Sequence, residues 1–126
     1  MRYVDGFVLV VPKKNLPAYR EMAEQASKIW KKYGALEYVE SVGEDLNPNV
    51  PADVPEDMKG IPFPQMAGAK SDEAVVFSYI LYNSRQHRDE VNAKVMQDPL
   101  MTAPIQPMPF DMKRMSYGGY KIIVGF

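Results

Sequence analysis

Two stretches constrain this chain more than anything else in it, because each reads as a strand that is apolar on both sides. In residues 2–11, Val4, Gly6, Val8 and Val10 alternate with Tyr3, Asp5, Phe7, Leu9 and Val11. In residues 74–82, Val76, Ser78, Ile80 and Tyr82 alternate with Val75, Phe77, Tyr79 and Leu81. A sheet with one wet face alternates apolar with polar side chains. Neither stretch does, so both are expected to lie at the centre of a sheet covered on its two faces.

The rest of the chain supplies cover for one face. From Asn15 the period changes: Tyr19, Met22, Ala23, Ala26, Ile29, Trp30 and Tyr33 recur at helical spacing, with Arg20, Glu21, Glu24, Lys28, Lys31 and Lys32 opposite. Asn15 can cap this helix, Pro17 suits its first turn, and Gly34 allows a left-handed stop. Residues 35–43 read as a second strand, with Glu37 and Glu40 marking an edge exposed to water. After residues 74–82, Ser84 caps a second helix reaching about Gln97, and Asp98-Pro99 ends it, since the residue before proline avoids helical geometry. Lys113–Tyr117 read as a fourth strand, Gly118-Gly119 as a bulge or turn, and Lys121–Phe126 as a continuing or additional strand.

This order predicts an α+β fold, a ferredoxin-like β-α-β-β-α-β sandwich with an antiparallel sheet and two helices on one face. Two helices leave the second face bare. A second copy packed sheet to sheet about a two-fold axis would bury it, so a homodimer is expected. The competing arrangement is a monomer whose second face is covered by its long loop and C-terminal segment. Residues 1–126 are read as a single domain with a Pro-rich acidic insertion at about 44–62. Five prolines, at 48, 51, 55, 62 and 64, fall between Gly43 and Glu73, beside Glu44, Asp45, Asp53, Glu56 and Asp57. Phe63–Ala69 is expected as a short edge strand, hairpinned through residues 70–73, because Pro64 forbids a central one.

Composition removes several functions. Fifteen basic and sixteen acidic side chains give a net charge of −1, which offers no general attraction to nucleic acid or anionic lipid. No run approaches the roughly 20 apolar residues needed to span a bilayer. With no cysteine there is no disulfide, thiolate nucleophile or cysteine metal site, and the cytoplasm is the expected compartment. Asp5 interrupts the N-terminal apolar run and no small-residue cleavage site follows, so that run reads as a strand and not as a signal peptide. Phosphate loops, nucleophile elbows and His-Glu-x-x-His are absent, and no cofactor is expected. The single histidine, His87, rules out a histidine-rich metal site within one chain.

The stretches Tyr3-Val4-Asp5-Gly6-Phe7, Val76-Phe77-Ser78-Tyr79, Arg88-Asp89, Asp98-Pro99, Met108-Pro109-Phe110-Asp111, Lys113-Arg114-Met115 and Tyr117-Gly118-Gly119 together resemble the YbaA-like family. These are small bacterial proteins of unknown function in the dimeric α/β-barrel superfamily. The resemblance runs from residue 2 to about 119, and this sequence departs from it in the Pro-rich acidic segment and the tail after Gly119. It implies a dimeric α/β barrel and no particular chemistry. Barrels of the wider superfamily include cofactor-free monooxygenases and isomerases, which gives a fold-level analogy for catalysis.

Candidate residues are few. Asp5 shares a strand side with Tyr3, Phe7 and Leu9, where an unpaired carboxylate is costly, so it needs a partner. Arg114 on the predicted fourth strand is the first choice, with Lys113 and Arg88 as alternatives. The pair either orders the sheet or anchors one end of a barrel lumen. His87 lies beside the apolar stripe of helix two, at Val91 and Val95, either as a partly buried helix residue or as a general base. Tyr3, Tyr38, Tyr79, Tyr82 and Tyr117 on predicted strands, with nine methionines, would pack a core or line a cavity for a flat apolar molecule. The expected function is binding of a small hydrophobic or aromatic ligand by Tyr3, Asp5, Tyr79, Tyr82, His87 and Arg114. Asp5 and His87 are the catalytic candidates should the barrel be an enzyme. A protein-interaction module using the Pro-rich loop and the C-terminal strand is the third possibility.

Overall fold

The computed structural model describes residues 1–46, 51–103 and 107–125. Pro48 of the acidic insertion, residues 104–106 of the Pro- and Met-rich connector, and Phe126 at the end of the last predicted strand lie outside the described residues. Four strands form one antiparallel sheet in the order β2-β3-β1-β4: β1 is Tyr3–Pro12, β2 Glu37–Val42, β3 Glu73–Tyr82 and β4 Ser116–Lys121. The two strands that are apolar on both sides are the central pair, in register from Tyr3 opposite Tyr82 to Pro12 opposite Glu73. This is a ferredoxin-like α+β fold. Among the described residues no helix is long and apolar enough to cross a membrane.

Two longer helices, α1 (Leu16–Lys32) and α3 (Arg85–Val95), cover one face. Beneath them lie two clusters. Leu9, Val11, Tyr19, Ala23 and Val76 form one, and Ile29, Ile80, Tyr82, Val91 and Val95 the other. Local chemistry sets the helix ends. Gly34 takes φ 105° just past α1, and Ser84 Oγ accepts the His87 amide at 3.0 Å to start α3. Asn15 stands at the entry to α1 but does not cap it, because its amide nitrogen donates instead to the Pro109 carbonyl at 3.0 Å, tying the helix start to the connector.

Several expectations are corrected, among them the strand expected over Lys121–Phe126: β4 ends at Lys121, and residues 122–125 are not strand. Phe63–Ala67 is a short helix, α2, and not an edge strand: Pro64 sits in its first turn, where a missing amide costs nothing, and Gly68 closes it at φ 68°. It packs on the opposite face from α1 and α3, with the Phe63 and Phe77 rings 6.4 Å apart. Another short helix, α4 (Pro99–Thr102), follows α3, and Asp98 caps it by accepting the Leu100 amide at 2.9 Å. Gly118-Gly119 is neither bulge nor turn. The two glycines lie inside β4, opposite Gly6 and Asp5, with the Tyr120 ring covering the bare backbone of Gly6 and Gly118. Arg114 is not on a strand at all but ends the 3-10 turn Met112–Arg114.

Candidate functional site

Strand parity sorts the predicted site residues. Tyr3, Asp5 and Tyr82 fall on the helix-covered side, in line with Gly119 and Ile80, whereas Tyr79 lies on the other side between Gly6 and Val39. Arg114 is at the far end of β3, where its guanidinium donates to Glu73 at 2.6 and 3.1 Å and to the Gly68 carbonyl at 2.8 Å. The six residues therefore do not line one cavity.

Asp5 has a partner, and it is Arg88, one of the two alternatives. Asp5 is 7% exposed and accepts from Arg88 Nη1 at 2.7 Å. Arg88 also donates to Asp89 at 2.8 Å and lies over the Tyr3 ring, 4.9 Å from its centroid. Burial raises the Asp5 carboxyl above its ordinary value, with Arg88 and neighbouring Asn92 pulling the other way. Behind it, Trp30 Nε1 donates to the Tyr82 hydroxyl at 3.1 Å and to Asn92 Oδ1 at 3.3 Å, and Tyr82 donates to the same oxygen at 3.2 Å. Tyr82 is fully buried. Every member of this cluster is satisfied within the protein, which fits a joint holding α1, α3 and β1 together.

His87 is similarly occupied. Its Nδ1 accepts the Asn83 amide at 3.0 Å, its ring meets Tyr82 edge-on with centroids 5.8 Å apart, and its Nε2 packs over Gly34. A neutral imidazole has one free lone pair, and here the backbone takes it. His87 thus holds the α1 and α3 termini together and has no acceptor left for a substrate proton.

The open space lies elsewhere. A cleft of about 780 Å³ runs between α1 and the edge strand β2, lined by Leu16, Tyr19, Ala23, Tyr38, Glu40 and Val76 among others. On the α1 side its lining includes the short side chains of Ala23 and Ser27. Tyr38, Glu40 and Val42 share the helix-side face of β2, while Glu37, Val39 and Ser41 share the other. The two glutamates read as a wet edge are therefore on opposite faces. Glu37 is exposed, but Glu40 is half-buried beneath α1. Tyr19 donates to one Glu40 oxygen at 2.5 Å and Tyr38 to the other at 3.2 Å. Burial raises the Glu40 carboxyl above its usual value despite these donors, and burial together with the adjacent carboxylate drives both phenols far above theirs.

Sequence reasoning missed this trio. The signal was present as parity: Glu40 lies two residues after Tyr38, so both must share a strand face, and Tyr19 belongs to the buried stripe of α1. Trp30, the single tryptophan, lies tilted against Tyr38 of the cleft wall, with ring centroids 5.8 Å apart.

Residues 2–112 match a family described as a protein of unknown function, DUF1428. The uncharacterized protein YbaA of Escherichia coli strain K12 and that of Shigella flexneri are each 45% identical over 124 residues, covering 98% of this chain and 98% of theirs. Among solved structures, a dimeric ferredoxin-like protein from an uncultured marine organism superposes over 100% of both chains with a TM-score of 0.55 at 8% identity, a likeness of fold alone.

Proposed function

Since the chain belongs to the DUF1428 family, whose function is unknown, we propose from geometry that it binds a small apolar or aromatic molecule in the cleft between α1 and β2. Glu40 is the polar anchor. The observation that carries this reading is a carboxyl group set among apolar walls and held by two tyrosine hydroxyls in a space large enough for a ligand. Small-molecule sites commonly enclose roughly 300–1,000 Å³, mostly apolar, with a few convergent polar groups. The site is on the helix side of the sheet, so it is not the lumen that two facing sheets would enclose.

The protein is further proposed to act as a homodimer and a single domain. Val4, Val39, Tyr79, Leu81 and Tyr120 leave an apolar surface on the face away from α1 and α3, and α2 reaches only one end of it. The description of the marine structural neighbour as dimeric supports the same reading.

N-phenyl-1-naphthylamine, a neutral aromatic amine whose emission rises in apolar surroundings, tests the cleft. Its emission should increase on mixing, with a change in Trp30 fluorescence. Ser27→Trp and Val42→Trp, both at the rim, should abolish the increase while leaving the melting temperature nearly unchanged. Equal emission from the native protein and both folded rim variants would place the probe elsewhere and defeat the proposal, as would no emission gain from the native protein.

A further inference from the structure

We infer that the ligand of this cleft is an amine, carried as an ammonium group on an aromatic or apolar body; the inference rests on the cleft being a binding site. The argument is an inventory of hydrogens. The Tyr19 and Tyr38 hydroxyls have given theirs to Glu40. Ser27 has given its hydroxyl hydrogen to the Glu24 carbonyl at 2.7 Å, and the Ser41 side chain lies on the other face of β2. The lining hydroxyls are therefore spent as donors, yet each keeps oxygen lone pairs, as does the Glu40 carboxylate. What the cleft floor offers to a ligand is acceptors.

Charge points the same way. The ionisable groups of opposite sign in the lining are Arg20, Glu24 and Glu40. Arg20 is paired with Glu24 at 3.3 Å, and its side chain is 83% exposed at the rim, where solvent screens it. The interior is left with one carboxyl and no facing cation. A carboxylate or phosphate ligand would meet Glu40 across a low-dielectric gap with no donor to receive it. A neutral alcohol could make one bond. An ammonium brings three donors and a compensating charge, matching a carboxylate whose two oxygens each stand beside a phenol oxygen.

Three probes sharing one apolar body separate the possibilities by charge: 1-naphthylmethylamine, 1-naphthalenemethanol and 1-naphthoate, each titrated against bound N-phenyl-1-naphthylamine at neutral pH. The amine should displace the reporter at a concentration at least tenfold below that of the alcohol, the margin of about one charge-assisted hydrogen bond. Naphthoate should be the weakest. Glu40→Gln should bring the amine to the level of the alcohol while the alcohol shifts less than about twofold, within the range expected for an untouched contact. Alcohol or naphthoate displacing as well as the amine would overturn the inference while leaving the cleft reading intact. Failure of the reporter itself to bind would end both. The series on the native protein decides the matter even if Glu40→Gln does not fold.

Discussion

Glu40 and Glu73 are carboxyls of one sheet shifted in opposite directions, and acid should expose them differently. Glu73 receives two hydrogen bonds from Arg114 and one from the Lys70 amide, which hold its carboxyl down at about 2. The unfolded chain then takes up the proton first as pH falls, so the contribution of this pair is whole above about 4.5 and lost toward 2. Arg114→Ala should therefore lower the urea midpoint clearly at pH 6 and much less at pH 2.5, where most of the contribution of the pair has already gone. An equal loss at both values would mean the ion pair is not what Arg114 contributes. For Glu40 the sign reverses: its raised folded value means the native state holds the proton more tightly, so ionisation costs stability as pH rises past the ordinary carboxylate range. Glu40→Gln should gain melting temperature relative to the native protein between pH 4 and pH 7, and a relative loss over that span would contradict the burial argument. Asp5 shows how far residues could be read from sequence. Its company of Tyr3, Phe7 and Leu9 demanded a partner, but choosing among three cations required knowing that Arg114 lies in a turn and that Arg88 lies in the first turn of α3, within reach of β1.

At the scale of elements, periodicity was sufficient wherever side chains decide the structure, and insufficient where glycine and proline do. The central strands and α1 follow from long apolar patterns. Pro64 and Gly68 permit either an edge strand or a capped helical turn, and the choice falls to Phe63 reaching Phe77 across the sheet, a contact distant in sequence. Gly118-Gly119 was equally ambiguous, because what fixes it is a neighbouring strand: a Cβ at Gly119 would collide with the Tyr3 hydroxyl. These two glycines should fail differently on substitution. Gly68 has nothing near its absent side chain but holds φ 68°, so Gly68→Ala should cost about 1–2 kcal/mol of backbone strain. Gly119 is in ordinary strand geometry, so Gly119→Ala should cost about 1–3 kcal/mol through crowding. Tyr3→Leu should recover part of the Gly119 loss and none of the Gly68 loss. Equal behaviour of the two in denaturation against that background would refute the distinction.

At the scale of the whole molecule, the two faces of the sheet carry separate tasks. The helix side holds the core, the Asp5–Arg88 joint and the cleft. On the other side, Val10 and Val75 are buried at 1% and 4% near α2, whereas Phe77 remains 46% and Tyr120 62% exposed. A stable pairing of two such faces needs roughly 800 Å² from each partner, and the uncovered part of a four-stranded sheet together with α2 is the natural supply. Val4 stands opposite Leu81 on one side and Tyr120 on the other, at the middle of this uncovered surface. Val4→Glu would then bury a charge from each copy in the paired faces, and dissociation should follow. Light scattering should find two chain masses for the native protein at micromolar concentration and one for the variant. Because the cleft opens on the opposite face within each copy, the monomeric variant should still enhance N-phenyl-1-naphthylamine emission. Loss of the dimer together with the probe would show that the cleft depends on the pairing, and a native protein that runs as a monomer would leave the second face of its central strands to be covered by the chain itself.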